Sequence, residues 1–168
     1  PIINGGLLHF VRNGEINNNS IKTMMTLQQI FDLAIKLGVQ TDLRGATSVN
    51  KRLKRLATSY EKLPSEAKKD FDKEKLTNPY PDTRILTGDP SRQIKKILVG
   101  IDMEVGEVML ADRLGGFDLV LSHHPEGVAL ADLSEVMHLQ AEVLAGYGVP
   151  INIGERLTEE RLEEVSKG

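Results

Sequence analysis

Two short, uninterrupted apolar runs limit most strongly how this chain can fold. Residues 96–101 and 118–122 each contain a run of strand length, and residues 104–114 between them place Val105, Val108 and Ala111 on successive helical turns. Strands that are apolar along their length are typical of parallel sheets covered by helices, and parallel strands need a long crossover connection. The segment therefore predicts a β-α-β unit.

The alternation continues to the end of the chain. Residues 132–147 have helical spacing, residues 149–153 form another apolar run, and Thr158 is placed to cap a last helix. The pattern predicts an α/β fold with a parallel-sheet β-α-β-α-β-α unit. In such sheets ligands bind outside the carboxyl ends of the strands, so residues that directly follow a strand are the candidates for function.

Two or three helices are predicted before this unit. Thr26 and Gln29 form a capping box at the start of the first helix, which runs to Gly38, and a second helix follows with a short charged one over residues 64–71. The second helix carries a basic cluster of four residues, Lys51, Arg52, Lys54 and Arg55. Such a cluster is more often a solvent-exposed helix face than a phosphate-binding site. Residues 77–93 are predicted to be an extended loop.

The first 23 residues differ in character, because they are rich in turn-forming Asn-Gly and Asn-Ser sequences. We interpret residues 1–23 as a tail or extension, which need not be native, and residues 24–168 as one α/β domain. A genuine N-terminal strand or arm is the alternative.

Composition excludes several classes of function. The 168 residues carry a net charge of -3, which gives no global attraction to nucleic acid or membranes, and the apolar runs are too short to span a bilayer. The absence of cysteine excludes disulfides, thiolate zinc sites and a cysteine nucleophile, and fits the cytoplasmic location that we expect. Phosphate-binding glycine loops, serine nucleophile elbows and zincin helices are missing too.

The strongest candidate for chemistry is a pair of adjacent histidines, His123 and His124, directly after a predicted strand. Histidine is the commonest metal ligand, and Pro125 forces the chain to leave the sheet here, which allows both imidazoles to face one crevice. The alternative is an ordinary strand end with one histidine hydrogen-bonded and the other exposed.

Two acidic residues lie close to this pair. Asp102 follows the preceding strand and is a candidate metal ligand, an orienting partner for an imidazole or, most simply, a helix cap. Glu126 is the nearest candidate general base, although a glutamate in a loop is more often just solvated.

These segments resemble the Nif-three-like (NGG-one-interacting-factor-three-like) family in its N-terminal half, within a long prokaryotic subgroup. The resemblance lies in residues 97–102, residues 118–127 and residues 78–85, and it covers most of residues 26–168. It implies an α/β fold, ring-shaped homo-oligomers and two metal ions in each subunit. Some members are classed as GTP cyclohydrolase-like. The histidine pair is the only ligand set that the resemblance transfers, here to His123 and His124.

The chain departs from the family after this point. Members complete the metal centre with a downstream aspartate and with a C-terminal histidine and glutamate, and this sequence ends at Gly168 before any of them. We therefore expect a truncated member or a half-domain completed elsewhere. It would bind divalent zinc, manganese or iron weakly, act as a metal-dependent hydrolase on an unknown small molecule only when completed, and self-associate. The alternative is a non-catalytic regulatory or protein-interaction module.

Overall fold

The computed structural model describes residues 2–4 and 24–167, which form a mixed α/β structure with a small, partly parallel sheet. The described strands are β1 Ile2–Asn4, β2 Met25–Thr26, β3 Arg84–Thr87, β4 Gln93–Ile94, β5 Ile97–Gly100 and β6 Leu119–Ser122. The described α-helices are α1 Leu27–Thr41, α2 Ala46–Glu61, α3 Ser65–Lys69, α4 Val105–Leu114, α5 Val128–Ala131, α6 Leu133–Met137, α7 Leu139–Gly146 and α8 Ile151–Lys167, and residues Lys73–Leu76 form a 3-10 helix.

The chain divides into two compact units. One combines Pro1–Ala34 with Thr83–Leu130, and the other combines Ile35–Asp82 with Ala131–Gly168. The first contains the strands and α4, and the second contains helices only among its described residues. None of the described helices combines the length and apolar character needed to cross a bilayer.

The first unit is built on a sheet with the strand order β3-β1-β6-β5. Strands β5 and β6 are parallel and joined by α4, as the apolar runs predict, and their register pairs Gly100 with Ser122. A small core lies between sheet and helix, where Leu98 and Phe117 pack against Met103, Ala111 and Val120. Strands β5 and β6 with α4 between them thus form a parallel β-α-β arrangement.

The N-terminus supplies a strand of this sheet. Strand β1 lies between β3, to which it is antiparallel, and β6, to which it is parallel. Residues 2–4 thus form a strand, which agrees with the alternative interpretation and not with a tail. Residues 5–23 lie outside the described residues. The loop expected over residues 77–93 contains β3, because pairing with a distant strand gives order that local sequence does not show.

The third predicted strand is wrong. Residues 149–153 do not pair with the sheet, since α8 begins at Ile151, and the Pro150 carbonyl accepts from the N–H groups of Ile153 at 2.9 Å and Gly154 at 3.1 Å. Proline is well suited to the start of a helix, where its missing N–H costs nothing. The last helix therefore starts seven residues before Thr158, the predicted cap.

Close packing against α7 accompanies this change. A Cβ built on Gly154 would lie 3.2 Å from the Ala141 carbonyl oxygen, so the glycine lets the two helices approach. The single helix predicted over residues 132–147 is interrupted at His138 and forms α6 and α7.

Candidate functional site

The histidine pair lies where β5 and β6 end side by side. The backbone N–H of His123 donates to the Gly100 carbonyl at 3.0 Å, and that of His124 donates to the Ile101 carbonyl at 2.8 Å. Through these bonds the two segments stay hydrogen-bonded for two residues beyond Ser122, the last residue of β6. The chain then leaves the sheet at the buried Pro125. The predicted strand end before the histidines is confirmed.

Ser122 holds together the sheet edge at which β5 and β6 end, which we call the rim. The sequence analysis did not identify this role of Ser122. Its side chain is fully buried, its hydroxyl donates to the His124 carbonyl at 2.7 Å, and the Ile101 carbonyl oxygen lies 3.1 Å from the same hydroxyl. One buried hydroxyl therefore links the segments that follow both strands. The signal in the sequence is a polar residue that ends an otherwise apolar run.

Asp102 and His124 meet at this rim. The distance between Asp102 Oδ1 and His124 Nδ1 is 2.6 Å, and the ring centroids of His123 and His124 are 5.2 Å apart. An ionised carboxylate can only accept, so Nδ1 carries the proton, and a neutral His124 keeps its lone pair on Nε2. The side chains of His124 and Asp102 are 57% and 63% exposed, so this imidazole is oriented but accessible.

The simplest role considered for Asp102, a helix cap, is wrong. Glu104, not Asp102, is the N-cap of α4, and its backbone N–H donates to Glu107 Oε2 at 3.1 Å. Asp102 instead occupies the position of an orienting partner for an imidazole. That position is the one typically taken by carboxylates behind metal-bound histidines.

The rim contains only some of the ligands that a metal ion needs. Imidazole nitrogens suit zinc and iron, and carboxylate oxygens suit manganese. Within the part of the chain that the structure describes, however, no group of three or more histidine, aspartate or glutamate side chains is placed to hold an ion. The two imidazoles fit a partial site with an orienting carboxylate, and they do not fit a complete dinuclear centre.

Glu126, the candidate general base, lies in the turn between the histidines and α5. It is half-buried, and its carbonyl accepts from the Ala129 N–H at 3.1 Å. A general base must lie within hydrogen-bond reach of the proton it removes, and the catalytic role of Glu126 stays a prediction.

The second unit contains a buried ionic network that the sequence did not indicate. The side chain of Asp42 is fully buried and accepts from the Arg44 backbone N–H, from Arg44 Nε and Nη2, and from the Tyr80 hydroxyl, at 2.8 to 3.0 Å. Arg44 Nη1 also donates to Glu142 Oε2 at 2.8 Å. Burial disfavours ionisation of Asp42, but the bonds from Arg44 and Tyr80 outweigh it and lower its pKa.

A cleft of about 560 Å³ lies along α2 in the same unit. Arg52 and Arg55 of the basic cluster line it, together with Lys75, which is held by Asp132 at 2.9 Å and by Glu135 at 2.7 Å. Arg52 and Arg55 are exposed, in agreement with the predicted solvated face. The cleft lies in a different unit from the histidine pair.

Comparison with protein families, with curated proteins and with solved structures gave no match. The resemblance to the Nif-three-like family accordingly stays a prediction, supported by the residues that carry it.

Proposed function

We propose that the first unit is the metal-binding half of a Nif-three-like, metal-dependent hydrolase. His123 and His124 are the proposed ligands of a divalent zinc, manganese or iron ion, and Asp102 is the residue that orients His124. The proposed substrate is a small molecule, and no hydrolytic step is assigned to Glu126.

One observation carries the proposal: the carboxylate of Asp102 lies 2.6 Å from His124 Nδ1 at the exposed carboxyl edge of two parallel strands. This contact selects the tautomer that presents the Nε2 lone pair outward. Metal-bound histidines commonly donate their other ring N–H to a carboxylate in this way. The neighbouring imidazole of His123 is also exposed, which supports a shared ion.

The alternative is a non-catalytic regulatory or protein-interaction module. It is favoured by the incomplete ligand set among the described residues and by the large apolar side chains exposed on α4. In that case the rim would be an ordinary strand end with one hydrogen-bonded histidine.

Calorimetric titration with zinc, manganese and iron(II) tests the proposal. We expect weak binding by the natural chain, because two neutral ligands offset little of the cost of removing water from the ion. Binding should weaken below about pH 6.5, where imidazole side chains generally take up protons and compete with the metal. The double variant His123→Ala/His124→Ala should lose this binding while its circular dichroism stays unchanged.

His138→Ala is the matched control, because His138 is also exposed but lies at the break between α6 and α7. It should bind metal as the natural chain does. Equal metal uptake by the natural chain and the double variant would refute the assignment of the ligands. Asp102→Asn should weaken binding by about 10-fold if Asp102 orients His124.

A further inference from the structure

The cleft along α2 in the second unit is lined by opposite charges and by an apolar patch. Its volume of about 560 Å³ is typical of small-molecule sites in proteins. Leu56 and Phe71 form the apolar patch, and the Phe71 ring packs against Tyr60 with the ring centroids 4.8 Å apart. Three cationic and three anionic residues also line the cleft, so its lining is neutral overall: Arg52, Arg55, Lys75, Asp70, Asp72 and Glu135.

The positive side of the cleft is set by helical spacing. Arg52, Arg55 and Ser59 recur at intervals of three and four residues in α2, and they share the face of the helix that carries Leu56. Within the described chain the exposed Arg55 side chain forms no ion pair or hydrogen bond. Arg52 contacts a carboxylate, that of Glu142, only at 3.8 Å. Both guanidinium groups are therefore accessible to a carboxylate, which they bind with charge-assisted hydrogen bonds.

The negative side of the cleft follows the short helix α3. Asp70 directly follows this helix and is exposed, and its side chain has no ion-pair or hydrogen-bond partner among the described residues. Asp70 and Arg55 line the same cleft without pairing with each other. Lys75, by contrast, is already engaged by Asp132 at 2.9 Å and by Glu135 at 2.7 Å. One cation and one anion of the lining thus remain open to a ligand.

We propose that this cleft binds a small zwitterion with an apolar body, namely a free amino acid that has an apolar side chain. The ligand's carboxylate contacts Arg55 and Arg52, and its ammonium group contacts Asp70. Its side chain packs on Leu56 and Phe71. A zwitterion satisfies two opposite charges that do not pair with each other, and the two polar contacts fix its orientation on the apolar patch. A simple anion would leave Asp70 without a partner.

Titration with L-phenylalanine, followed in amide NMR spectra of the full chain, tests this site. We expect the largest chemical shift changes at residues 52–59 and 70–72, with a dissociation constant of about 1 mM, because so small a ligand gains little binding free energy. Three related compounds each lack one of the recognised groups: N-acetylphenylalanine lacks the ammonium, phenylalaninamide lacks the carboxylate and glycine lacks the apolar side chain. Each should bind at least about fivefold more weakly.

Substitutions test the two charges separately. Arg55→Gln and Asp70→Asn should each raise the dissociation constant for phenylalanine by about fivefold or more. Circular dichroism should stay unchanged, because both side chains are exposed. Lys54→Gln is the matched control, since Lys54 is also an exposed cation of α2 but does not line the cleft. It should change the dissociation constant by less than about twofold.

Several outcomes would overturn the proposal. Equal affinity for phenylalanine and for its N-acetyl or amide derivative would exclude recognition of a zwitterion. Equal effects of Lys54→Gln and Arg55→Gln would exclude a specific contact with Arg55. Shift changes confined to other parts of the chain, or none at any concentration at which phenylalanine dissolves, would exclude binding in this cleft.

Discussion

Replacement of Asp42 by alanine should be among the most destabilising single substitutions in the second unit. The Asp42 carboxylate accepts four hydrogen bonds, three from Arg44 and one from the Tyr80 hydroxyl. The side chains of Asp42 and Arg44 are 0% and 5% exposed, and Tyr80 is 2% exposed. Asp42→Ala would leave a buried guanidinium with Glu142 as its remaining carboxylate and a buried hydroxyl without its acceptor.

The size of the effect follows from these contacts. Removing one partner of a buried ion pair costs about 3 to 5 kcal/mol, because the other charge stays buried without compensation. A domain of this size is stable by only about 5 to 15 kcal/mol, so Asp42→Ala should remove a large part of the free energy of unfolding. Tyr80→Phe removes one neutral donor from the network and should cost about 1 kcal/mol.

Urea unfolding followed by circular dichroism at pH 7 measures both values by linear extrapolation. Glu66→Ala is the control, since Glu66 forms an exposed ion pair with Lys69 and should change stability little. A loss below about 1 kcal/mol for Asp42→Ala, or a loss no larger than that of Tyr80→Phe, would show that the network does not hold the unit together.

The pH dependence gives an independent check. The pKa of Asp42 lies below its ordinary value of 3.8 in the folded chain, since hydrogen bonds from Arg44 and Tyr80 outweigh the effect of burial. The unfolded chain therefore takes up this proton first as the pH falls. The stability difference between the natural chain and Asp42→Ala should be complete above about pH 4 and should shrink below it.

Three further predictions concern other parts of the fold. Burial, aided by the adjacent Asp42, raises the pKa of Tyr80, so stability should fall as pH rises above 10, and Tyr80→Phe should lack this part of the loss in alkaline urea titrations. Ser122→Ala removes the only side-chain donor that the described contacts give to the His124 and Ile101 carbonyls. It should lower the free energy of unfolding by about 1 to 3 kcal/mol in the same assay. An unchanged free energy of unfolding would show that the hydroxyl does not hold the rim together. Gly154→Ala should lower the melting temperature because its Cβ would press on Ala141, whereas Gly146→Ala, with open space around it, should not; equal melting temperatures would refute this packing.

Local sequence was sufficient where a segment's structure depends on its own residues. The capping box at the start of α1 is present, with the Thr26 N–H donating to Gln29 Oε1 at 2.9 Å and the Gln29 N–H donating to Thr26 Oγ1 at 3.2 Å. The β5-α4-β6 unit follows from continuous apolar strands around a helical period. The buried face of α4 was predicted less well. Of the residues expected on that face, Ala111 is buried but Val105 is 74% exposed, because a short sheet covers only part of the helix.

The candidate site was predictable in position but not in contacts. The strand-edge argument placed Asp102 and the histidine pair together, and Pro125 correctly marked the end of β6. Neither the Asp102–His124 contact nor the role of Ser122 followed from spacing, because both depend on how two segments about 20 residues apart meet in space.

The sequence by itself determined the β-α-β unit, the helix that starts at Thr26 and Leu27, and the edge at which the polar residues gather, since these depend on local periodicity, caps and strand direction. The tertiary structure decided that residues 2–4 enter the sheet between β3 and β6, that residues 151–153 are helical, and that Asp42 meets Tyr80 38 positions away. The strand at residues 2–4 and the Asp42–Tyr80 contact each depend on a partner distant in sequence, and the free energy of pairing or burial with that partner outweighs the local preference of the segment.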